Sequence, residues 1–180
     1  MDLTVKHDLD RLIRQFDALS RDELTKSIGL ALNRTADQAR TEAGREIRER
    51  YNFKAREVSA TFSIRRARGS QLDVVIRSRG RRTPLIKMAA LQKKAGVQVK
   101  VTKQRRLLPG TFIATMPNGN IGVYERKGKG RLPIQQLYTI AIPEAFTAEQ
   151  VQEAVMSKVR DVFPKRLRFE LERALRRSRG

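Results

Sequence analysis

The chain has 180 residues, 39% apolar and 32% charged, with 39 Lys and Arg against 19 Asp and Glu for a formal charge of +20. It has no cysteine, which excludes a disulfide framework, a thiolate nucleophile and a Cys-ligated metal. Apolar runs of only a few residues fall far short of a membrane span, and Met1–Asp8 lacks an apolar h-region, so neither a membrane segment nor a signal peptide is predicted.

Leu9, Leu12, Ile13, Phe16 and Leu19 recur at helical spacing and predict a short amphipathic helix. Ser20-Arg21-Asp22-Glu23 then has the form of a capping box, with acids at the positive end of the helix dipole. Beyond it Leu24, Ile28, Leu32, Thr35, Ala39, Ala43, Ile47 and Tyr51 keep one face for about seven turns. The opposite face alternates charge through Arg45, Glu46, Arg48, Glu49 and Arg50, and the small residues on the stripe would let another backbone approach. Such a helix either lies solvated over a sheet or is shared with a neighbouring subunit. Up to Tyr51 the charges balance, ten against ten.

From Asn52 to Arg131 the balance changes to 20 Lys and Arg against 3 Asp and Glu, a net +17. The period changes as well. Ala60, Phe62 and Ile64 alternate with Thr61, Ser63 and Arg65, and after the turn Arg68-Gly69-Ser70 so do Leu72, Val74 and Ile76, predicting a hairpin. Continued alternation would place Arg77, Arg79 and Arg81 on one side of a strand, about 7 Å apart in successive pairs. Val97, Val99 and Val101 predict a third strand with Lys100 turned away from the core. Thr111–Met116 and Ile121–Arg126 flank Pro117-Asn118-Gly119-Asn120, a strong reverse turn. Lys127–Arg131 is a basic loop before Leu132–Ile142, and Pro143 closes the sheet.

Thr147-Ala148-Glu149-Gln150 has the form of a second capping box, followed by Val151, Val155, Val159 and Val162 at helical spacing. Pro164 should bend the helix or divide it in two before Leu167, Leu171 and Leu175 resume the stripe. Helices, then strands, then a helix predict an α+β fold with a central antiparallel sheet of about five or six strands and a C-terminal helix bent near Pro164. The expected organisation is one domain, with a helical arm over 1–51, a basic sheet over 52–143 and a C-terminal helix over 144–180.

No catalytic constellation is visible. The only acids of the basic middle, Glu57, Asp73 and Glu125, fall in different predicted elements, and the single histidine, His7, supports neither a triad nor a zinc site. Gly128-x-Gly130 lacks the Gly-Lys-Ser/Thr of a phosphate loop and opens no helix. The expectation is no enzyme, no metal and no cofactor. Candidates for nucleic-acid contact are abundant: Arg65, Arg66 and Arg68 of the hairpin, then Arg77, Arg79, Arg81 and Arg82. Lys100, Lys103, Arg105 and Arg106 form a second group, and Arg126, Lys127, Lys129 and Arg131 a third. Neutralising half a dozen phosphates with such side chains gives strong, salt-dependent binding without sequence preference. Tyr124 and Tyr138 are the only nearby aromatics, so stacking on single strands is not favoured.

Ala31-Leu32-Asn33-Arg34-Thr35-Ala36 and Arg45-Glu46-Ile47-Arg48-Glu49-Arg50-Tyr51-Asn52 resemble the N-terminal part of the minor tail protein Z family of lambda-like phages. Closer similarity lies in Leu108-Pro109-Gly110-Thr111-Phe112-Ile113-Ala114-Thr115-Met116-Pro117-Asn118-Gly119. It extends through Gly122–Ile134 to Ile142-Pro143, so the resemblance covers most of the chain from about Asp22 onward. It implies a structural, non-enzymatic protein of the virion that acts in tail completion at the head-proximal end of a long tail and lets the genome end settle there. It carries over no catalytic residue. The expected partners are other tail or connector proteins, copies of the same chain in a ring, and DNA after assembly, with no membrane. The expected location is the virion, with the host cytoplasm before assembly. Two alternatives stand beside this reading: a free, sequence-nonspecific nucleic-acid-binding protein, and a head–tail connector protein whose basic face docks on acidic subunits.

Overall fold

Ser20 starts the first long helix. Its hydroxyl accepts from the Glu23 N–H at 3.3 Å, while the Glu23 carboxylate accepts from the Ser20 N–H at 3.0 Å and hydroxyl at 2.8 Å. The expected capping box is therefore closed in both directions. Hydrogen bonding from the Ser20 hydroxyl, then from its N–H, holds the Glu23 carboxyl below its usual range.

The computed structural model describes Phe16 and residues 19–178. In chain order, α1 (Arg21–Arg50) and α2 (Ala55–Thr61) precede β1 (Phe62–Arg65), β2 (Val75–Ser78) and β3 (Arg82–Pro84). After a single 3-10 turn (Leu85–Lys87) come β4 (Leu91–Lys93), β5 (Gly96–Val99) and β6 (Arg106–Pro109). Next are β7 (Thr111–Thr115), β8 (Ile121–Arg126), β9 (Ile134–Gln136) and β10 (Tyr138–Ala141), followed by α3 (Ile142–Phe146) and α4 (Glu149–Ser178). The helix expected over Leu9–Leu19 lies outside the described residues, apart from Phe16 and Leu19. Those two are buried and joined by a 2.9 Å bond from Leu19 N–H to Phe16 O.

The chain forms two compact units. The first takes residues 1–43, 62–77 and 152–180. Its core joins Ala31 of α1 to Phe163, Leu167, Leu171 and Ala174 of α4, with Phe16 and Leu19. The most buried line on α1 runs Ser27, Ala31, Thr35, Ala39 and Ala43 at four-residue steps, whereas Leu24, Ile28 and Leu32 are half-buried at its flank. The stripe is thus as expected from Thr35 on and rotated before it. Ala31 is a small residue of this line that meets α4, and Leu24, Ile28 and Leu32 pack against the edge of that core. Pro164 lies inside α4, which continues through it as one helix.

Strands β1 and β2 form the expected two-stranded sheet, closed by reciprocal bonds of 3.1 and 3.0 Å between Arg68 and Gln71. The Asn33 side chain of α1 bonds both backbone groups of Ala67, accepting from its N–H at 2.9 Å and donating to its carbonyl at 3.1 Å. The alternation beginning at Ala60 is misleading in its first two residues. Helix α2 extends to Thr61 and starts with the Lys54 N–H donating to the Glu57 carboxylate at 3.3 Å.

The second unit takes residues 44–61 and 78–151. It holds three small antiparallel sheets, ordered β10-β3, β4-β5-β6 and β7-β8-β9. Val97 and Val99 of β5 are buried, and Val97 N–H donates to the Thr111 hydroxyl at 3.0 Å, which itself donates to Leu108 O at 2.7 Å. Gly96 has φ +150°, and a Cβ there would lie 2.0 Å from Leu108 O, so β5 and β6 approach in a way only glycine permits. Strands β7 and β8 pair from Thr111↔Glu125 to Thr115↔Ile121. Their turn is exposed and self-bonded, with Gly119 N–H to Met116 O at 2.8 Å and Met116 N–H to Asn120 O at 2.9 Å.

The class is α+β, with long N- and C-terminal helices and antiparallel strands between them. The strands make four small sheets and not one sheet of five or six, because each is only three to six residues long and is interrupted by turns.

Candidate nucleic-acid interface

In the first unit, the candidate cations nearest to carboxylates are already engaged. Arg65 makes a bidentate pair with Asp73, one bond being 3.2 Å (Nη1 to Oδ1) and the other running from Nη2 to Oδ2. Arg66 pairs with Asp37 through bonds of 2.7 and 3.2 Å. These hydrogen bonds raise both guanidinium pKa values and hold the Asp73 carboxyl below its usual range. Arg68 and Arg77 are exposed, with no carboxylate in ion-pair range among the described residues.

The second unit has other arrangements. Arg82 Nε lies 3.7 Å from Glu144 Oε1, and Arg105 donates to Ala89 O at 3.1 Å. Arg126 stacks 5.2 Å above the Phe112 ring and donates to Arg131 O at 2.6 Å, which ties its strand to the end of the basic loop. Lys127, Lys129 and Arg131 are exposed on that loop, and Arg106 is exposed on β6 opposite Val99. Arg79 and Arg81 are exposed but do not continue a strand. β2 ends at Ser78, the Arg79 N–H turns to Thr61 O at 2.9 Å, and a Cβ on Gly80 would lie 3.3 Å from Thr61 and 3.6 Å from Pro143. The expected row of Arg77, Arg79 and Arg81 along one strand is therefore not formed.

Lys100 and Lys103 line one recess together with Arg48 and Arg50. The charge alternation along α1 predicts those two arginines on its solvated face, where basic residues also complement the helix dipole. The only signal for their role was their position immediately before the end of the helix. The aromatics differ in availability. Tyr124 is buried beside Phe112, with ring centroids 6.2 Å apart, whereas Tyr138 is exposed and donates to Gln136 at 2.9 Å.

Among the described residues, no cluster of three His, Cys, Asp or Glu side chains could hold a metal ion. His7 lies outside them. No described helix is long and apolar enough to cross a membrane. Exposed cations stand at the end of one helix, on short strands and in two loops, and such groups can each meet a phosphate or a carboxylate. No curated protein and no solved structure was found to be similar to the chain. A family profile described as prophage minor tail protein Z (GPZ) matches residues 7–179. That span takes in both long helices and every strand, and the chain belongs to the prophage minor tail protein Z family, a family of structural proteins of the phage tail.

Proposed function

We propose that this tail protein acts in tail completion at the head-proximal end, as a homo-oligomeric ring among other tail or connector proteins, and positions the genome end through its basic surface. The observation that carries the reading is the net +17 between Asn52 and Arg131, where 20 cations face only 3 carboxylates. Charge of one sign on exposed strands and loops attracts a phosphate backbone whatever its sequence. Replacing Arg79, Arg81, Lys127 and Lys129, all exposed, by glutamate should yield particles that assemble but deliver little DNA. Full infectivity of those particles would remove genome contact from the function.

A second reading has an observation of its own. Arg65 and Arg66 bind carboxylates of the same chain in bidentate geometry. The same chemistry would let the remaining arginines dock on acidic subunits of a connector. In that case the glutamate variants fail at assembly, before any DNA is delivered.

A further inference from the structure

The last turn of α1 and the segment after β5 enclose an open recess of about 150 Å³ in the second unit. The Asn52 N–H donates to Val101 O at 2.8 Å, which fixes the helix exit against the end of the strand. That bond brings two basic segments together: Arg48 and Arg50 from the helix, Lys100 and Lys103 from the strand end. The Thr102 residue lies between the two lysines on the recess wall.

Four basic residues and one acid, Glu49, therefore line the recess. Glu49 lies 3.8 Å from Arg45 Nε, so its charge is shared with a cation outside the recess. Arg50 is held by Glu46, with Nη2 3.3 Å from Oε2, while its Nε is buried and has no hydrogen-bond partner. The helix dipole accounts for basic residues at Arg48 and Arg50. It does not account for Lys100 and Lys103, which come from another element.

The ligand chemistry follows from charge, size and shape. With Arg50 held by Glu46, a single carboxylate would still leave most of Arg48, Lys100 and Lys103 uncompensated, whereas a phosphate offers several acceptor oxygens in a tetrahedron to an arginine fork and point-charge lysines. The volume is a few times the ~30 Å³ share of one water, enough for a phosphate group and its remaining hydration. We infer that this recess is a seat for one phosphate group, supplied by a nucleic-acid backbone. The identity of the carrier rests on the function proposed above; the seat itself does not.

The test uses the full-length protein labelled with 15N, titrated at constant ionic strength with sodium phosphate and then with a short DNA duplex. Amide signals of Tyr51, Asn52 and Thr102 should move saturably with phosphate. Arg48→Gln and Lys103→Gln change exposed side chains, and each should weaken phosphate binding roughly tenfold and duplex binding in parallel. Unmoved amides, or unchanged phosphate affinity in both variants, would overturn the seat. Weakened phosphate binding with unchanged duplex affinity would overturn the nucleic-acid carrier and leave the seat. Saturable phosphate binding by a wild-type protein that binds no duplex would uphold the seat and sink the proposed genome contact instead. A glutamate-rich peptide that displaces phosphate at lower concentration than the duplex does would replace the nucleic acid with an acidic protein.

Discussion

The two units carry nearly the same number of cations but set very different numbers of acids against them. The first has 20 Lys and Arg against 13 Asp and Glu, the second 19 against 6. In the first, Arg65, Arg66, Lys165, Arg168 and Arg173 each have a carboxylate partner, and the core is built from the leucines and phenylalanines of long helices. In the second, Arg45, Arg50, Arg82 and Lys87 have one and Ile47, Val58, Met88, Val97, Val123 and Val151 are fully buried, but among the described residues the loop cations Lys100, Lys103, Lys127, Lys129 and Arg131 have no carboxylate in ion-pair range. Similar numbers of cations thus leave 20 − 13, or +7, in the first unit and 19 − 6, or +13, in the second. Both units pair a handful of cations with their own acids; the second has fewer than half as many acids to do it with, so more of its positive charge is left for an outside anion.

The sharpest break should come at Gly96. Gly96→Ala combines φ +150° with a Cβ 2.0 Å from a backbone oxygen, and should cost about 4 kcal/mol as measured by denaturant unfolding. A cost below 1 kcal/mol would mean that β5 and β6 are not held as described. In the first unit the corresponding weak point is apolar. Leu167 is fully buried, and Leu167→Ala should cost about 3 kcal/mol through lost burial and a residual cavity. Next comes the electrostatic contrast. Arg79→Glu with Arg81→Glu should lower the slope of log K against log salt for duplex binding by about two, while Asp37→Asn leaves it nearly unchanged. An unaltered slope in the double variant would show that those arginines do not meet phosphates.

Smaller effects belong to the helix start and the surface pairs. Ser20→Ala should cost about 1 kcal/mol by opening the capping box. Because the Glu23 carboxyl titrates lower in the folded chain than in the unfolded one, its contribution is present above the ordinary glutamate range. It is lost as pH falls through the folded value. Glu23→Gln should therefore lower stability slightly at neutral pH and flatten part of the acid limb of a stability–pH curve, so that variant and wild type converge as pH falls. Asp37→Asn breaks only an exposed pair and should move the thermal midpoint by less than ~3 °C.

Local chemistry in the sequence was a good guide wherever structure is local. Ser20-x-x-Glu23 announced the start of α1, and Pro117–Asn120 announced the β7–β8 turn in nearly its final register. The failures have physical reasons. At Ala60 and Thr61 a two-residue period overlaps the end of a seven-residue helix, which is too short to show a periodicity of its own. The row of arginines after Arg77 was lost because Gly80 packs against Thr61 and Pro143, contacts that nothing in the local pattern encodes. The partner of Arg66, Asp37, is 29 residues away, and the recess joins residues about fifty apart. Basic composition identified the kind of surface, but only the tertiary structure distinguishes occupied guanidiniums from available ones.

The turn between β7 and β8 has a practical consequence. Pro117, Asn118, Gly119 and Asn120 are all exposed, their bonds close within the turn, and no candidate cation belongs to it. Exposed tips of this kind accept inserted sequence with little disturbance of what they connect. A short epitope placed between Asn118 and Gly119 would label the protein inside an intact particle, so that bound antibody fragments mark its position along the tail and the number of copies there.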